Sequence, residues 1–153
     1  MTVMKFKIVH VYQVDYIGYK VEVPIKDVES VDLKSLWNRD RREFPILDEE
    51  FYIGYEDYSS FNGKSYFYYA LAPKRKDKVY KSVEKITIPE GRYYKYESVY
   101  RTHDQNFFQT MYMHLKRKGV RHDSTYDLEI IPPTFSYDNP DSILYVGVRE
   151  LEY

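Results

Sequence analysis

The alternation of hydrophobic and polar positions predicts two helices, each with one apolar stripe. The clearer stripe lies in the second half of the chain, after Asp104 as a candidate N-cap. Its members recur three or four positions apart: Phe107, Phe108, Met111, Tyr112 and Leu115. Three basic residues, 116–118, and then Gly119 follow the stripe. Cations in a last turn meet the negative helix end, and glycine adopts the left-handed closing conformation, so this helix should end at Gly119.

A weaker stripe of the same kind predicts a helix in the first half. Leu33, Leu36 and Trp37 share one side of a segment that starts near Ser30, with Ser30 or Asp32 as the N-cap. The helix should end by Phe44, because a proline disfavours helical geometry in the residue before it and position 45 is proline.

Extended segments flank both helices. They are Lys5 to Tyr12, Tyr16 to Val23, Glu50 to Asp57 and Tyr66 to Ala72 in the first half, and Val83 to Ile88, Arg92 to Tyr100, Tyr126 to Ile131 and Ser142 to Leu151 in the second. In both halves extended sequence precedes the helix and two strand-like segments follow it, and equivalent elements are offset by about 75 residues, which is typical of an internal repeat. We predict one repeat over about 1–73 and another over about 79–153, joined by the polar segment 73–78.

Each predicted half alone would leave an apolar sheet face uncovered. Two βαββ repeats can bury those faces by forming one curved antiparallel sheet with both helices on the same face. This arrangement is α+β and leaves a central groove between the helices. Such junctions are common ligand sites.

Composition narrows the functional classes. The chain has 153 residues, no cysteine and a net charge of −1, so thiol chemistry is excluded and no general attraction to nucleic acid is expected. The four histidines lack metal-binding spacing, no nucleotide-binding glycine motif occurs, and we expect no metal and no cofactor. His103 precedes the second helix and could reach the groove, but we expect it in a solvated loop. No apolar signal core or membrane-spanning run is present, which predicts a cytoplasmic protein.

Glu129 is the most informative single residue. In a strand it shares a face with Asp127 and Ile131, while Leu128 and Ile130 point to the other face. A carboxylate among apolar neighbours needs a partner or stays partly neutral, so Glu129 is a candidate recognition point for a cationic or hydrogen-bonding ligand. The alternative is a glutamate at a sheet edge that points to water or pairs with a neighbouring arginine.

Several segments together resemble the GyrI-like small-molecule-binding family, which includes effector-binding domains of AraC-type and MerR-type bacterial regulators and stand-alone proteins. The resemblance rests on segments of both halves: Leu36 to Arg39, Phe51 to Asp57, Ile86 to Tyr96, Phe107 to Gly119, Tyr126 to Glu129 and Ile143 to Leu151. Glu129 matches the pocket glutamate of that family. The resemblance implies a single GyrI-like domain over residues 1–153.

The resemblance also implies a function and a set of ligand-binding residues. The implied protein is a stand-alone bacterial sensor or sequestering protein, of multidrug-binding type, for an apolar ligand that can carry a positive charge. Its ligand-binding residues would be Glu129, Trp37, Tyr55, Tyr68, Tyr93, Tyr112 and Tyr145.

Two alternatives remain open, and they leave open whether the chain is an enzyme. The first is a GyrI-like hydrolase of reactive electrophiles with Glu129 as general base, for which Tyr112 and Tyr145 are candidate second polar groups. The second is an interaction module that binds a protein partner through the groove or an edge strand.

Overall fold

Eight strands and two α-helices form one α+β unit in the computed structural model, which describes residues 4–151 apart from the side chain of Glu29. The helices are α1 (Leu33–Glu43) and α2 (Gln105–Arg117). The strands are β1 (Phe6–Val11), β2 (Val14–Pro24), β3 (Tyr52–Asp57), β4 (Ser65–Pro73), β5 (Glu84–Ile88), β6 (Gly91–Val99), β7 (Tyr126–Ile131) and β8 (Ile143–Arg149). The predicted α+β class is confirmed.

All neighbouring strands pair antiparallel in one sheet, in the order β1-β6-β8-β7-β3-β4-β2-β5. This order is symmetric about the β7–β3 seam. From the seam outwards, one side runs β3, β4, β2, β5 and the other runs β7, β8, β6, β1. The first strand of each half is therefore exchanged, because β1 pairs with β6 and β5 pairs with β2. The division into repeats at about 1–73 and 79–153 stays a prediction.

Both helices begin with an aspartate cap. Oδ1 of Asp32 accepts a hydrogen bond from the backbone N–H of Ser35 at 3.0 Å, and Oδ1 of Asp104 accepts one from that of Phe107 at 3.1 Å. Such caps satisfy N–H groups that the first helical turn leaves free. After α2, Gly119 adopts φ 71°, a left-handed conformation that suits glycine.

The two helices pack on the same face of the sheet, each over its own core cluster. Trp37 of α1 is buried with Tyr52 and Tyr68, and Met111 of α2 is buried with Val146. Each fully buried side chain of this size contributes about 1.5–3 kcal/mol through removal of apolar surface from water. Between the clusters the centre of the sheet, along the β3–β7 seam, faces an open groove.

Among residues 4–151 no α-helix covers the other face of the sheet, and this face closes on itself. One cluster there joins Ile88 of β5 with Tyr93 of β6, although these strands lie towards opposite ends of the strand order. The sheet is therefore curled, and aromatic residues such as Tyr126 and Tyr69 fill the inside of the curl.

A buried acid, Asp40, belongs to α1 and faces the sheet. Asp40 is fully buried, and neither of its carboxyl oxygens has a hydrogen-bond partner among the described residues. It fits there because Gly18 of β2 faces it, and a Cβ on Gly18 would lie 2.8 Å from Oδ1 of Asp40. Burial raises the pKa of Asp40 to about 8, so this carboxyl is predominantly neutral at pH 7.

Within residues 4–151, no helix combines the length and the apolar composition required to cross a membrane.

Candidate functional site

The groove over the centre of the sheet holds two adjoining hollows, with volumes of about 760 Å³ and about 370 Å³. Glu129 and His103 line both. The larger hollow is walled mainly by aromatic and aliphatic side chains, including Tyr66, Tyr68 and Phe108. The smaller hollow continues towards the segment after β7. Together they form a mostly apolar site with a carboxylate where they meet.

Gly54 creates the space for that carboxylate. In the register of the central seam, Gly54 of β3 is the direct partner of Glu129 of β7. A Cβ on Gly54 would lie 2.9 Å from Oε1 of Glu129 and 2.3 Å from the hydroxyl oxygen of Tyr68. Any larger residue at position 54 would therefore force these two groups apart.

A hydrogen-bond chain fixes one oxygen of Glu129. The indole N–H of Trp37 donates to the hydroxyl oxygen of Tyr68 at 3.0 Å, and that hydroxyl donates to Oε1 of Glu129 at 2.6 Å. Trp37 and Tyr68 are almost fully buried. The chain thus runs from the α1 core to the groove and holds the carboxylate in one orientation.

His103 occupies the second oxygen. Its Nε2 lies 2.7 Å from Oε2 of Glu129, and its Nδ1 lies 2.8 Å from the hydroxyl oxygen of Ser98 on β6. The side chains of His103 and Glu129 are each only 10% exposed. The expectation of a solvated loop histidine is therefore wrong, because the segment between β6 and α2 turns the imidazole into the groove.

These contacts decide the charge of Glu129. Burial on its own would raise its pKa, but the hydrogen bond and the charge of His103, together with the hydrogen bond from Tyr68, hold the pKa of Glu129 below its usual value. Hydrogen bonds to the charged form favour ionisation. Glu129 is therefore a carboxylate at neutral pH even though it is buried.

A second acidic pair lies beside Glu129 on the same face. Glu56 of β3 and Asp127 of β7 are cross-strand partners. The Tyr58 hydroxyl lies 2.5 Å from Oε2 of Glu56 and 3.2 Å from Oδ2 of Asp127, and the Tyr112 hydroxyl donates to the same Oδ2. One hydroxyl hydrogen cannot serve two carboxylates, so this arrangement favours a proton on one of the acids.

The pKa values of this pair shift in the same sense. Burial and then the charge of Glu129 raise the pKa of Glu56 well above its usual value. Burial raises the pKa of Asp127 to about 6, against the opposing hydrogen bonds from Tyr112 and Tyr58. Within the groove, then, the surroundings favour the ionised form of Glu129 and the protonated form of Glu56.

No group of three or more histidine, aspartate or glutamate side chains in residues 4–151 is placed to hold a metal ion.

The structure brings together three of the residues predicted from the sequence: Trp37, Tyr68 and Glu129. Tyr68 and Glu129 line the groove, while Trp37 lies behind Tyr68 and acts through it. Tyr112 lies on the same face but contacts Asp127, and its ring stacks on His122.

The other three tyrosines lie on the opposite face, which corrects the expectation that they form the groove wall. Tyr55 and Tyr93 pack in the cluster inside the curl of the sheet. Tyr145 lies beside Lys95, whose ammonium group is 4.5 Å from the centre of the tyrosine ring. The reason is that successive side chains of a strand point to opposite faces of the sheet. Each of these tyrosines lies an odd number of positions from a residue of its own strand on the groove face, as Tyr55 does from Gly54.

Sequence reasoning missed His103, Glu56 and Tyr66 as groove residues. For Glu56 a signal was available, since it lies two positions after Gly54 and so shares its face. For His103 the signal was only its place just before the predicted second helix, because its contact with Glu129 spans 26 positions and its own segment is irregular.

Comparisons with known proteins identify a family and a shared fold. A family model described as Cass2, integron-associated effector binding protein, matches residues 7–148. No curated protein matches the sequence.

Solved structures match the whole fold at low identity. An integron cassette protein from the mobile metagenome of Vibrio cholerae has a TM-score of 0.60 and 13% identity, with 95% of each chain covered. The structure of SAV2435 bound to tetraphenylphosphonium has a TM-score of 0.72 and 10% identity, and covers 97% of this chain and 94% of the other. At these identities the matches show a shared fold.

Proposed function

Because this chain belongs to the Cass2 family of integron-associated effector-binding proteins, we propose that it binds an apolar, positively charged small molecule in the groove around Glu129. The observation that carries the proposal is the ionised carboxylate of Glu129 in a mostly apolar hollow. Glu129 already accepts hydrogen bonds from Tyr68 and His103, and a cation in the hollow would add a direct charge partner in surroundings where water screens little.

The walls of the hollow suit the apolar part of such a ligand. Aromatic rings from Tyr66, Tyr68 and Phe108 border it, and a ring face attracts a cation by about 0.5–2 kcal/mol. A volume of about 760 Å³ lies within the range common for small-molecule sites. The tetraphenylphosphonium bound to SAV2435 is a ligand of this class, which supports the proposal by analogy of fold.

The test is a pair of ligands that differ in charge. Tetraphenylphosphonium and neutral triphenylphosphine oxide would be titrated by calorimetry into the wild-type protein, Glu129→Gln and the control Glu90→Gln, whose carboxylate is exposed. We expect Glu129→Gln to bind the cation at least about tenfold more weakly, equal to about 1.4 kcal/mol, and the neutral ligand unchanged. Equal affinity of wild type and Glu129→Gln for the cation would contradict the proposal.

A hydrolase is the second candidate, favoured by the two polar groups that converge on Glu129. These are Tyr68 and His103 rather than Tyr112 or Tyr145. A general base needs a neighbouring polar group that orients the reacting molecule. The groove supplies two such groups beside Glu129. The lowered pKa of Glu129 argues for binding instead, because it makes the carboxylate a weaker base. Turnover of an activated ester or strained-ring substrate that disappears in folded Glu129→Gln would favour hydrolysis.

A further inference from the structure

The imidazole of His103 already occupies part of the proposed cation site, so it competes with a ligand for Glu129. Both carboxylate oxygens accept hydrogen bonds from the protein: Oε1 from Tyr68 and Oε2 from His103. Because an ionised carboxylate carries no hydrogen, the proton in the 2.7 Å contact belongs to Nε2 of His103. Nδ1 faces the hydroxyl of Ser98, which can donate to a neutral imidazole or accept from an imidazolium.

The same geometry therefore serves two charge states of His103. With a neutral imidazole, Glu129 keeps its net negative charge for a ligand. With an imidazolium, the pair is neutral, and a positive group already lies at the junction of the two hollows. An incoming cation then meets a like charge and must displace it or bind without the full attraction of Glu129.

We infer that His103 is the residue that sets the charge selectivity of the groove: its protonation closes the site to cations and its deprotonation opens it, while neutral ligands bind in both states. This inference rests on the proposed function.

Other titratable groups face the pair, and Asp127 needs a separate control. Its pKa of about 6 also lies in the range where imidazoles titrate, and loss of its charge in acid would weaken cation binding in the same direction. Glu56 lies opposite it on β3. The remaining titratable side chains that line the two hollows come from β4, from the N-terminal ends of α1 and α2, and from the segments after β3, β6 and β7: Asp32, Lys34, Tyr58, Tyr66, Tyr68, Tyr100, Asp104 and Tyr137.

The experiment measures the affinity of the full chain for tetraphenylphosphonium and for triphenylphosphine oxide between pH 5 and pH 8. For the wild type we expect the cation affinity to rise with pH, by up to about tenfold per pH unit where one proton leaves per ligand bound. The affinity for the neutral ligand should stay level. Calorimetry in two buffers of different ionisation enthalpy should register proton release with the cation only.

Variants separate His103 from its neighbours. His103→Gln keeps a neutral hydrogen-bond donor and should bind the cation at pH 5 as tightly as the wild type does at pH 8, with a flat profile. Asp127→Asn should keep the wild-type dependence of cation affinity on pH. His122→Gln should keep it too, because the imidazole of His122 stacks on Tyr112 outside both hollows. Melting curves for each variant check that it is folded, and His103→Asn is the substitute if His103→Gln is not.

The outcomes distinguish this inference from the proposed function. Cation binding that is equal at pH 5 and pH 8, or that keeps its slope in His103→Gln, overturns the role of His103 and leaves the binding site standing. A slope lost in Asp127→Asn reassigns the selectivity to that acid. If no variant binds tetraphenylphosphonium at any pH, the proposed function itself fails.

Discussion

Gly54 and Glu129 are direct partners across the central seam, and the missing side chain of the first makes room for the carboxylate of the second. The same gap admits the hydroxyl of Tyr68. Three residues from three adjacent strands thus meet at one point, and the fit depends on the smallest of them.

Gly54→Ala should therefore disturb the site more than an ordinary strand substitution. A methyl group would lie within 3 Å of both Tyr68 and Glu129, so the 2.6 Å hydrogen bond between them must break or shift. We expect a loss of about 1–3 kcal/mol in the free energy of unfolding, measured in urea, and weaker binding of tetraphenylphosphonium. Gly147→Ala is the matched control, since its nearest neighbour is a flexible methyl of Ile130 at 3.3 Å. Equal losses for the two variants would contradict the role of Gly54.

Tyr68→Phe should uncouple the α1 core from the groove. It removes the acceptor of the Trp37 indole N–H and the donor to Glu129 in one step. Leaving a buried polar group without its partner costs about 1–3 kcal/mol, so the variant should be less stable by at least that amount. A double-mutant cycle with Trp37→Phe should show coupling, whereas a cycle of Tyr55→Phe with Trp37→Phe should not, because Tyr55 lies on the other face.

Asp40→Asn should change how stability depends on pH. The folded state holds the proton of Asp40 up to a pKa of about 8, against an ordinary value of 3.8. The folded protein thus binds this proton more tightly than the unfolded chain, and wild-type stability should fall as pH rises from about 4 to about 8. The slope is at most about 1.4 kcal/mol per pH unit. The free energy of unfolding of Asp40→Asn, measured in urea relative to that of the wild type, should therefore increase from about pH 4 to about pH 8. A difference that stays constant over this range would contradict the raised pKa of Asp40. Asp48→Asn, an exposed acid, is the control.

Tyr112→Phe should raise the pKa of Asp127. The hydrogen bond from Tyr112 opposes the effect of burial, and without it the value should move above about 6. Carboxyl carbon resonances followed between pH 4 and pH 9 would measure the change. Tyr12→Phe removes an exposed hydroxyl and should leave that titration where it was. An unchanged pKa in Tyr112→Phe would contradict the proposed hydrogen bond.

Local periodicity explains which parts of this fold could be predicted. The α2 stripe from Phe107 to Leu115 and its cap Asp104 lie within one segment, and so does the alternation that identifies β7. Each feature depends on neighbours a few positions apart, which the sequence displays directly.

The groove wall could not be predicted in the same way, because it depends on long-range register. Alternation places Tyr55 and Gly54 on opposite faces of β3, but only the pairing of Gly54 with Glu129 decides which of them faces the groove. His103 is a still clearer case, since its role arises from the turn between β6 and α2 and from a contact with a distant strand.

The exchange of β1 and β5 has a consequence for how the polypeptide holds together. Each half lends its leading strand to the far side of the sheet, so neither half completes its own edge. We expect that the two pieces produced by cleavage of the backbone between Lys76 and Lys78 would stay associated through their paired strands. The two pieces made separately should also associate on mixing. Because the groove lies at the seam between the two halves, ligand binding would return only when the two pieces associate. Ligand binding could then be used to measure that association.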